Sequence, residues 1–322
     1  MIKRLGRALF TVLSRILIVV TVILILGAIY ETVAEAIDNS SIPKTGQLVD
    51  EGGFRLHISC AGAGSPTVII DSGLGDWSVS WVGIQTEVAK TTRVCIYDRA
   101  GYAWSEAGPQ PRTSFQFARE LHTLLKAAGI SGPYVLVGHS LGGLTARIFA
   151  HEHADEVGGV VLIDSMSPGT IVQDPASVRT EVRSLFSIYS IMPAFARVGV
   201  VRLAARPVGA FSSTPTERER IKMAFMSRAV YFQTLQDEIR AVPESLAQAS
   251  TVQTLGDMPL IILTRTLGNS TFDEDWRVKQ SQLLQLSSDS QQIFAENAGH
   301  NIELDQPEIV IKVILEMVAK VR

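Results

Sequence analysis

The sequence predicts a three-layer α/β domain carrying a helical insertion, preceded by an apolar N-terminal segment. Three observations carry this. Short, continuous apolar runs alternate with helical stretches along most of the chain. The alternation breaks between Pro168 and Met258, where helical periodicity takes over. Residues Ile16 to Tyr30 (ILIVVTVILILGAIY) carry no charge. With 46% apolar and 19% charged residues in a chain of 322, there is enough apolar side chain to bury a large core. A net charge of −3 leaves no basic footprint for nucleic acid, so no nucleic-acid partner is expected.

From the N-terminus, Lys3, Arg4, Arg7 and Arg15 precede the apolar run, and Glu31, Glu35 and Asp38 follow it. A membrane span needs about 20 apolar residues. Residues 8–30 supply that length if Arg15 reaches its guanidinium back to the headgroups. The expectation is a membrane anchor over residues 1–40, with its N-terminus in the cytoplasm and the following domain outside it. Cleavage at Ala34-Glu35-Ala36 and secretion is one alternative, and a buried helix of the soluble domain is the other. Ser40 to Gly46 reads as a polar linker.

The elements then follow in order. Gln47 to Asp50 and Phe54 to Cys60 read as a hairpin around Glu51-Gly52-Gly53. TVII (67–70), RVCIY (93–97), YVLV (134–137), VVLI (160–163) and LIIL (260–263) read as strands buried on both faces of a parallel sheet. Ser114 to Ala128, Leu141 to His153 and Gln306 to Val321 read as helices between and after them. The expected organisation is a core of residues 41–167 and 258–322 with a helical cap over 168–257.

Gly138-His139-Ser140-Leu141-Gly142 matches G-x-S-x-G between an apolar strand and a helix. Glycine two residues to either side lets the backbone turn sharply enough to expose a serine hydroxyl, and the helix N-terminus favours a developing anion. Three further motifs occur along the chain: Ser72-Gly73-Leu74-Gly75 after a strand; Asp98-Arg99-Ala100-Gly101-Tyr102-Ala103-Trp104-Ser105; and Ala298-Gly299-His300 followed by Pro307-Glu308. With these four in this order, residues 47–320 resemble the α/β-hydrolase superfamily. The resemblance implies a mostly parallel sheet flanked by helices and a Ser-His-acid mechanism. Ser72 stands where the family usually has histidine, which bears on the shape of that loop.

On this resemblance Ser140 is the nucleophile and His300 the base, in the expected chain order. The acid is open between two places. Asp164 lies at the carboxyl end of VVLI, where α/β sheets place their sites. Asp273 and Asp275 follow the next strand, but they also suit the first turn of a helix beginning near Ser270. The oxyanion amides are assigned to Leu141 and Leu74. The resemblance turns His139 away from the chemistry and makes Asp98 and Arg99 structural. Trp77 and Trp81 fit either the acyl pocket or the core. Cys60 and Cys95 fall on strands adjacent in the family's sheet order, as a disulfide or as two thiols.

The expected function is hydrolysis of an ester or related acyl bond on a hydrophobic, lipid-like small molecule, with no cofactor and no metal. A triad enzyme of other chemistry (carbon–carbon hydrolysis or perhydrolysis) and an inactive binding module are the alternatives. A serine at the elbow argues against the dehalogenase and epoxide-hydrolase members, which use aspartate.

Overall fold

The apolar runs become one eight-stranded sheet in the order β1-β2-β4-β3-β5-β6-β7-β8. The strands are β1 (Gln47–Asp50), β2 (Arg55–Ala61), β3 (Thr67–Asp71), β4 (Val94–Asp98), β5 (Tyr134–His139), β6 (Val157–Ile163), β7 (Leu260–Arg265) and β8 (Ser290–Ala295). β2 pairs antiparallel with β1 and with β4; every other pairing is parallel. β3, β4, β5 and β7 are buried along their whole length, as near-continuous Val/Ile/Leu runs require when both sheet faces are covered. This computed structural model describes residues 2–169, 175–205, 216–268 and 270–322.

The helices are α1 (Ile2–Ser41), α2 (Val82–Val88), α3 (Ser114–Ala127), α4 (Leu141–Glu152), α5 (Pro175–Tyr189), α6 (Met192–Arg197), α7 (Val200–Ala205), α8 (Glu217–Met226), α9 (Ala229–Ser250), α10 (Thr271–Gln282), α11 (Ile302–Asp305) and α12 (Pro307–Lys320). Alternate residues of each strand face opposite layers. Ile69, Leu136, Val160 and Ile262 join α3 and α4 in one apolar layer, and Ile70, Val137, Val161 and Leu263 join α2 and α12 in the other. Trp77 and Trp81 are both buried. Trp81 belongs to the second layer.

The chain forms two compact units, Lys44–Ser187 with Thr234–Arg322, and Met1–Pro43 with Ile188–Gln233. The segment expected as a cap over 168–257 is thus divided between them. Its C-terminal part belongs with the sheet because Val242, Leu246, Ala249 and Val252 are buried in the core. Its middle part belongs with α1, and residues 170–174 and 206–215 lie outside the described residues. Part of the expected linker is helical: α1 continues through Ser41. β8 has no apolar run in its sequence (SQQIFA) because it is an edge strand, half-exposed over most of its length.

Cys60 and Cys95 face each other in the β2–β4 register and form a disulfide. In α1, residues 6–41 form a helix long and apolar enough to cross a membrane.

Candidate active site

Ser140 sits between β5 and α4 at φ 51°, ψ −115°, a conformation costly for a residue with a Cβ. The flanking glycines make it attainable. A Cβ on Gly138 would lie 2.5 Å from the Gly142 carbonyl oxygen, and one on Gly142 would lie 2.4 Å from that of Asp71. The turn is tied to the end of β6: Ser140 N–H donates to Ile163 O at 3.1 Å, and its carbonyl accepts from Met166 N–H at 3.0 Å.

Asp164 follows β6 directly, also at positive φ (38°), with its N–H donating to Leu263 O at 2.7 Å. Its carboxylate is fully buried and satisfied from several directions. Oδ2 meets His300 Nδ1 at 2.6 Å and Arg265 NH1 at 3.1 Å; Oδ1 accepts from Trp276 Nε1 at 2.9 Å and Arg265 N–H at 3.3 Å. His300, on the loop between β8 and α11, places its other nitrogen, Nε2, 3.0 Å from Ser140 Oγ. An imidazole whose Nδ1–H donates to a carboxylate presents Nε2 as an acceptor, so the arrangement can take a proton from the serine hydroxyl.

The two other candidate acids are elsewhere. Asp273 caps α10 by accepting from Ser270 and pairs with Arg265 at 2.8 Å. It is held below the usual carboxylate range chiefly by the Ser270 hydrogen bonds, which outweigh the opposing effect of desolvation, with Arg265 adding to the lowering. Asp275 pairs with Lys279 one turn along the same helix. Neither has a bond to His300 among the described residues. Asp273 lies in the first turn of α10, as the helix-start reading expects, whereas Asp275 lies beyond that turn.

His139 departs from the expectation. It does not turn away: its Nε2 donates to the His300 carbonyl at 2.9 Å, and the two rings lie 4.8 Å apart. It therefore holds the loop that carries His300.

A cavity of about 390 Å³ opens at Ser140, within the size range of small-molecule sites. Leu74, Met166, Leu185 and Trp276 give it apolar walls beside His139 and His300. Trp77 and Trp81 are not among its lining residues, so the core reading of both holds. Leu74 is thus on the wall, and Leu141, buried, is the first residue of α4. Arg99 fixes the loop that carries Leu74: NH1 donates to Ser72 O at 2.6 Å and NH2 to Gly73 O at 2.7 Å. The Gly73 carbonyl and the Leu74 N–H belong to one trans peptide and point oppositely, so the Leu74 N–H faces away from Arg99. Arg99 is itself clamped by Asp71 at 2.8 Å and Glu238 at 2.8 Å.

Asp98, its neighbour, accepts from the buried His57 at 2.8 Å and from Ser78 N–H at 3.0 Å, a structural part in both cases. Trp276, Arg265, Glu238 and His139's contact are the members that sequence reasoning missed. Trp276, Arg265 and Glu238 belong to no spaced motif, although Trp276 lies in the same FDEDW stretch as Asp273 and Asp275; His139 lies within the elbow motif, but the motif does not reveal its contact. Away from this site, His122, His153 and Glu156 bring donor atoms within 4.8 Å of one another, but Lys126 also pairs with Glu156 there, at 2.9 Å.

Residues 66–307 match the family model of the α/β-hydrolase fold. The chain belongs to the α/β-hydrolase fold family. Among curated proteins it is 34% identical over 136 residues to a probable transporter, efuK, of Hormonema carpetanum, a match covering 40% of this chain and 20% of that protein. It is 26% identical over 252 residues to the uncharacterized protein YqjL of Bacillus subtilis, covering 77% and 82%. The chain thus spans about a fifth of the first relative and most of the second. Among solved structures, a thermophilic esterase from Thermogutta terrifontis superposes with TM-score 0.65 at 20% identity, over 85% of this chain and 98% of that one. A putative acyltransferase from Salmonella enterica gives 0.69 at 18%, over 88% and 98%. The epoxide hydrolase CorEH gives 0.65 at 20%, over 86% and 99%. At these identities the likeness concerns the fold alone.

Proposed function

We propose that this hydrolase cleaves a carboxylic ester or related acyl bond on a hydrophobic small molecule, through Ser140, His300 and Asp164. One observation carries the reading: the unbroken hydrogen-bond chain from Ser140 Oγ through His300 to the buried Asp164 carboxylate. Ser140 Oγ attacks the carbonyl carbon as His300 Nε2 takes its proton, and Asp164 stabilises the imidazolium. The Leu141 and Leu74 amides receive the oxyanion. His300 then returns the proton to the leaving group, and a water, activated by the same imidazole, releases the acid from the acyl-enzyme. Hydroxyl rather than carboxylate at the elbow speaks against the ester-forming aspartate chemistry of epoxide hydrolysis. The apolar cavity walls favour a lipid-like acyl group.

The protein as proposed is anchored by α1, with the N-terminus cytoplasmic and the sheet unit outside. The basic residues before the apolar run and the acids after it favour this orientation. So does the Cys60–Cys95 disulfide, a bond suited to an oxidising compartment.

Labelling with a fluorophosphonate tests the chemistry. Wild type and Asp275→Asn should label, Ser140→Ala should not, and His300→Ala and Asp164→Asn should label far more slowly. A folded wild type that takes no label would overturn the hydrolytic reading and favour a binding module.

A further inference from the structure

The unit formed by residues 1–43 and 188–233 holds an apolar surface that the hydrolytic reading leaves unused. Ile188 lies at the end of α5, Ile191 at the cap before α6 and Phe195 within α6, and Val200 and Leu203 lie three apart on α7. These five are 42–61% exposed, close to the 45–66% of the large apolar side chains from Ile16 to Leu26 of α1. A soluble surface rarely leaves such faces bare without an occupant.

Their position against α1 says what the occupant is. Gly27 of α1 lets the backbone of Val198 in so closely that a Cβ there would be 2.4 Å from the Val198 carbonyl oxygen. Gly199, at φ +71°, packs against the Tyr30 ring. Further along α1, Arg202 pairs with Glu31, one turn on from Gly27, and with Asp38, about two turns beyond that, both at 2.8 Å. Glu31 and Arg202 are largely buried by this contact. The turn between α6 and α7 is therefore pinned to α1 where the uncharged run ends. Its ion pairs sit on the polar side of that boundary and its backbone contact on the apolar side.

We propose that residues 188–205 form a second membrane-contacting element, with their Ile188, Ile191, Phe195, Val200 and Leu203 face seated in the interfacial layer of the bilayer that α1 crosses. This rests on the reading of α1 as a membrane anchor. The arrangement is that of an in-plane amphipathic segment, its apolar face sunk at the headgroup boundary, fixed in depth by a spanning helix. The commitment is to lipid; a second copy of the chain on the same face is a competing occupant.

The test uses the full-length protein in phosphatidylcholine vesicles. The two native cysteines are in a disulfide, so a single introduced cysteine takes a nitrobenzoxadiazole label selectively. Labels are placed at Val19→Cys, Ile191→Cys, Leu203→Cys and, on the exposed side of the sheet unit, Lys126→Cys. Emission is read with lipids spin-labelled at shallow or deep acyl positions. Val19 should be quenched most by the deep label and Lys126 by neither. Ile191 and Leu203 should be quenched by the shallow label, losing about half as much emission as Val19 does to the deep one, as expected for a face roughly 5–10 Å into the headgroup boundary. Quenching at Val19 but not at Ile191 and Leu203 overturns the proposal and leaves the anchor standing. No quenching at Val19 removes the anchor instead. Unquenched Ile191 and Leu203 labels that cross-link between chains would assign the face to a second copy. All four substituted side chains are exposed, so an unchanged circular dichroism spectrum is expected and checks each variant.

Discussion

Two buried ion clusters sit at the carboxyl edge of the same sheet, built from nearly the same residue types. In one, Arg99 lies between Asp71 and Glu238, with Tyr102 also donating to Glu238 at 2.9 Å. In the other, Arg265 lies between Asp164 and Asp273. The first is sealed: its charged side chains are no more than 4% exposed, and its remaining bonds end on the carbonyls of Ser72 and Gly73. The second opens. Asp164 holds by hydrogen bond a half-exposed imidazole (37%) that reaches a hydroxyl in a cavity. A cluster that ends on backbone carbonyls can only hold a loop. One that ends on an imidazole can move a proton. The difference lies in where each hydrogen-bond chain terminates, not in the charges it contains.

The sharpest break in this comparison is at the terminus of the open cluster. Ser140→Ala and His300→Ala should each lower turnover of a long-chain nitrophenyl ester by on the order of 10⁴–10⁶-fold. Asp164→Asn should cost about 10⁴-fold, because an amide no longer fixes the tautomer that leaves Nε2 as acceptor. All three should keep their unfolding midpoints within a few degrees. The sealed cluster predicts the reverse pattern. Arg99→Met leaves Asp71 and Glu238 buried together without a cation and should cost about 3–5 kcal/mol of stability, read from denaturant unfolding. If Arg99→Met instead left stability intact and abolished turnover alone, the division into holding and reacting clusters would be wrong.

Arg265 lines the cavity, but its guanidinium is engaged by Asp164 and Asp273 and makes no bond to Ser140 among the described residues, so it acts through Asp164 as a positioning residue. Arg265→Gln should reduce kcat about 10-fold through a loosened Asp164, with KM little changed. Trp276→Phe deletes a single donor to the same carboxylate, worth about 1 kcal/mol, and should reduce kcat about 5-fold. Both side chains line the cavity; a rise in KM without loss of kcat in either variant would mean that it serves substrate binding there and not the hold on Asp164.

The two clusters were not equally legible in the sequence. Ser140 and His300 stand in glycine-flanked motifs because their loops need close backbone approach, and that requirement leaves a spaced trace. Asp164 is visible because it ends an apolar strand run. Glu238 leaves no trace: it sits in the middle of a 22-residue helix, about 140 positions from Arg99, and only the fold brings them together. The same holds for His139, whose place inside the elbow was legible while its bond to the His300 carbonyl was not. Among the strands, those buried on both faces were readable as apolar runs; the polar edge strand β8 was not, since its exposed side selects no pattern. Where the helical insertion divides could not be read either, because the apolar residues of α9 that join the core have the same spacing as those that leave it.

An acid outside both clusters sharpens the comparison at the low end of the scale. Glu51 is half-buried beside Glu120 and Asp50, and its Oε1 has no hydrogen-bond partner among the described residues. Burial first, then the two neighbouring acids, pushes its carboxyl up to about 7. A raised carboxyl favours folding while protonated, so its contribution is full below the ordinary carboxylate range and is lost as pH rises toward about 7. His57 acts in the same direction: burial pulls its pKa down, but the Asp98 hydrogen bond and charge, with the Thr45 carbonyl, leave it raised. These two groups should therefore make wild-type stability fall between pH 5 and pH 8, against an opposite contribution from His153, whose pKa is lowered by burial first and then by His122, and the slope alone does not identify the group. Glu51→Gln does, because it leaves His57 in place. The variant should match wild type near pH 5 and exceed it at pH 8 by about 1 kcal/mol or less, solvent screening at this half-exposed site keeping the gain small. Equal unfolding curves for the two proteins at pH 8 would mean that Glu51 is solvated well enough to ionise freely, and that burial without a cation, unlike burial around Arg99, has no consequence here.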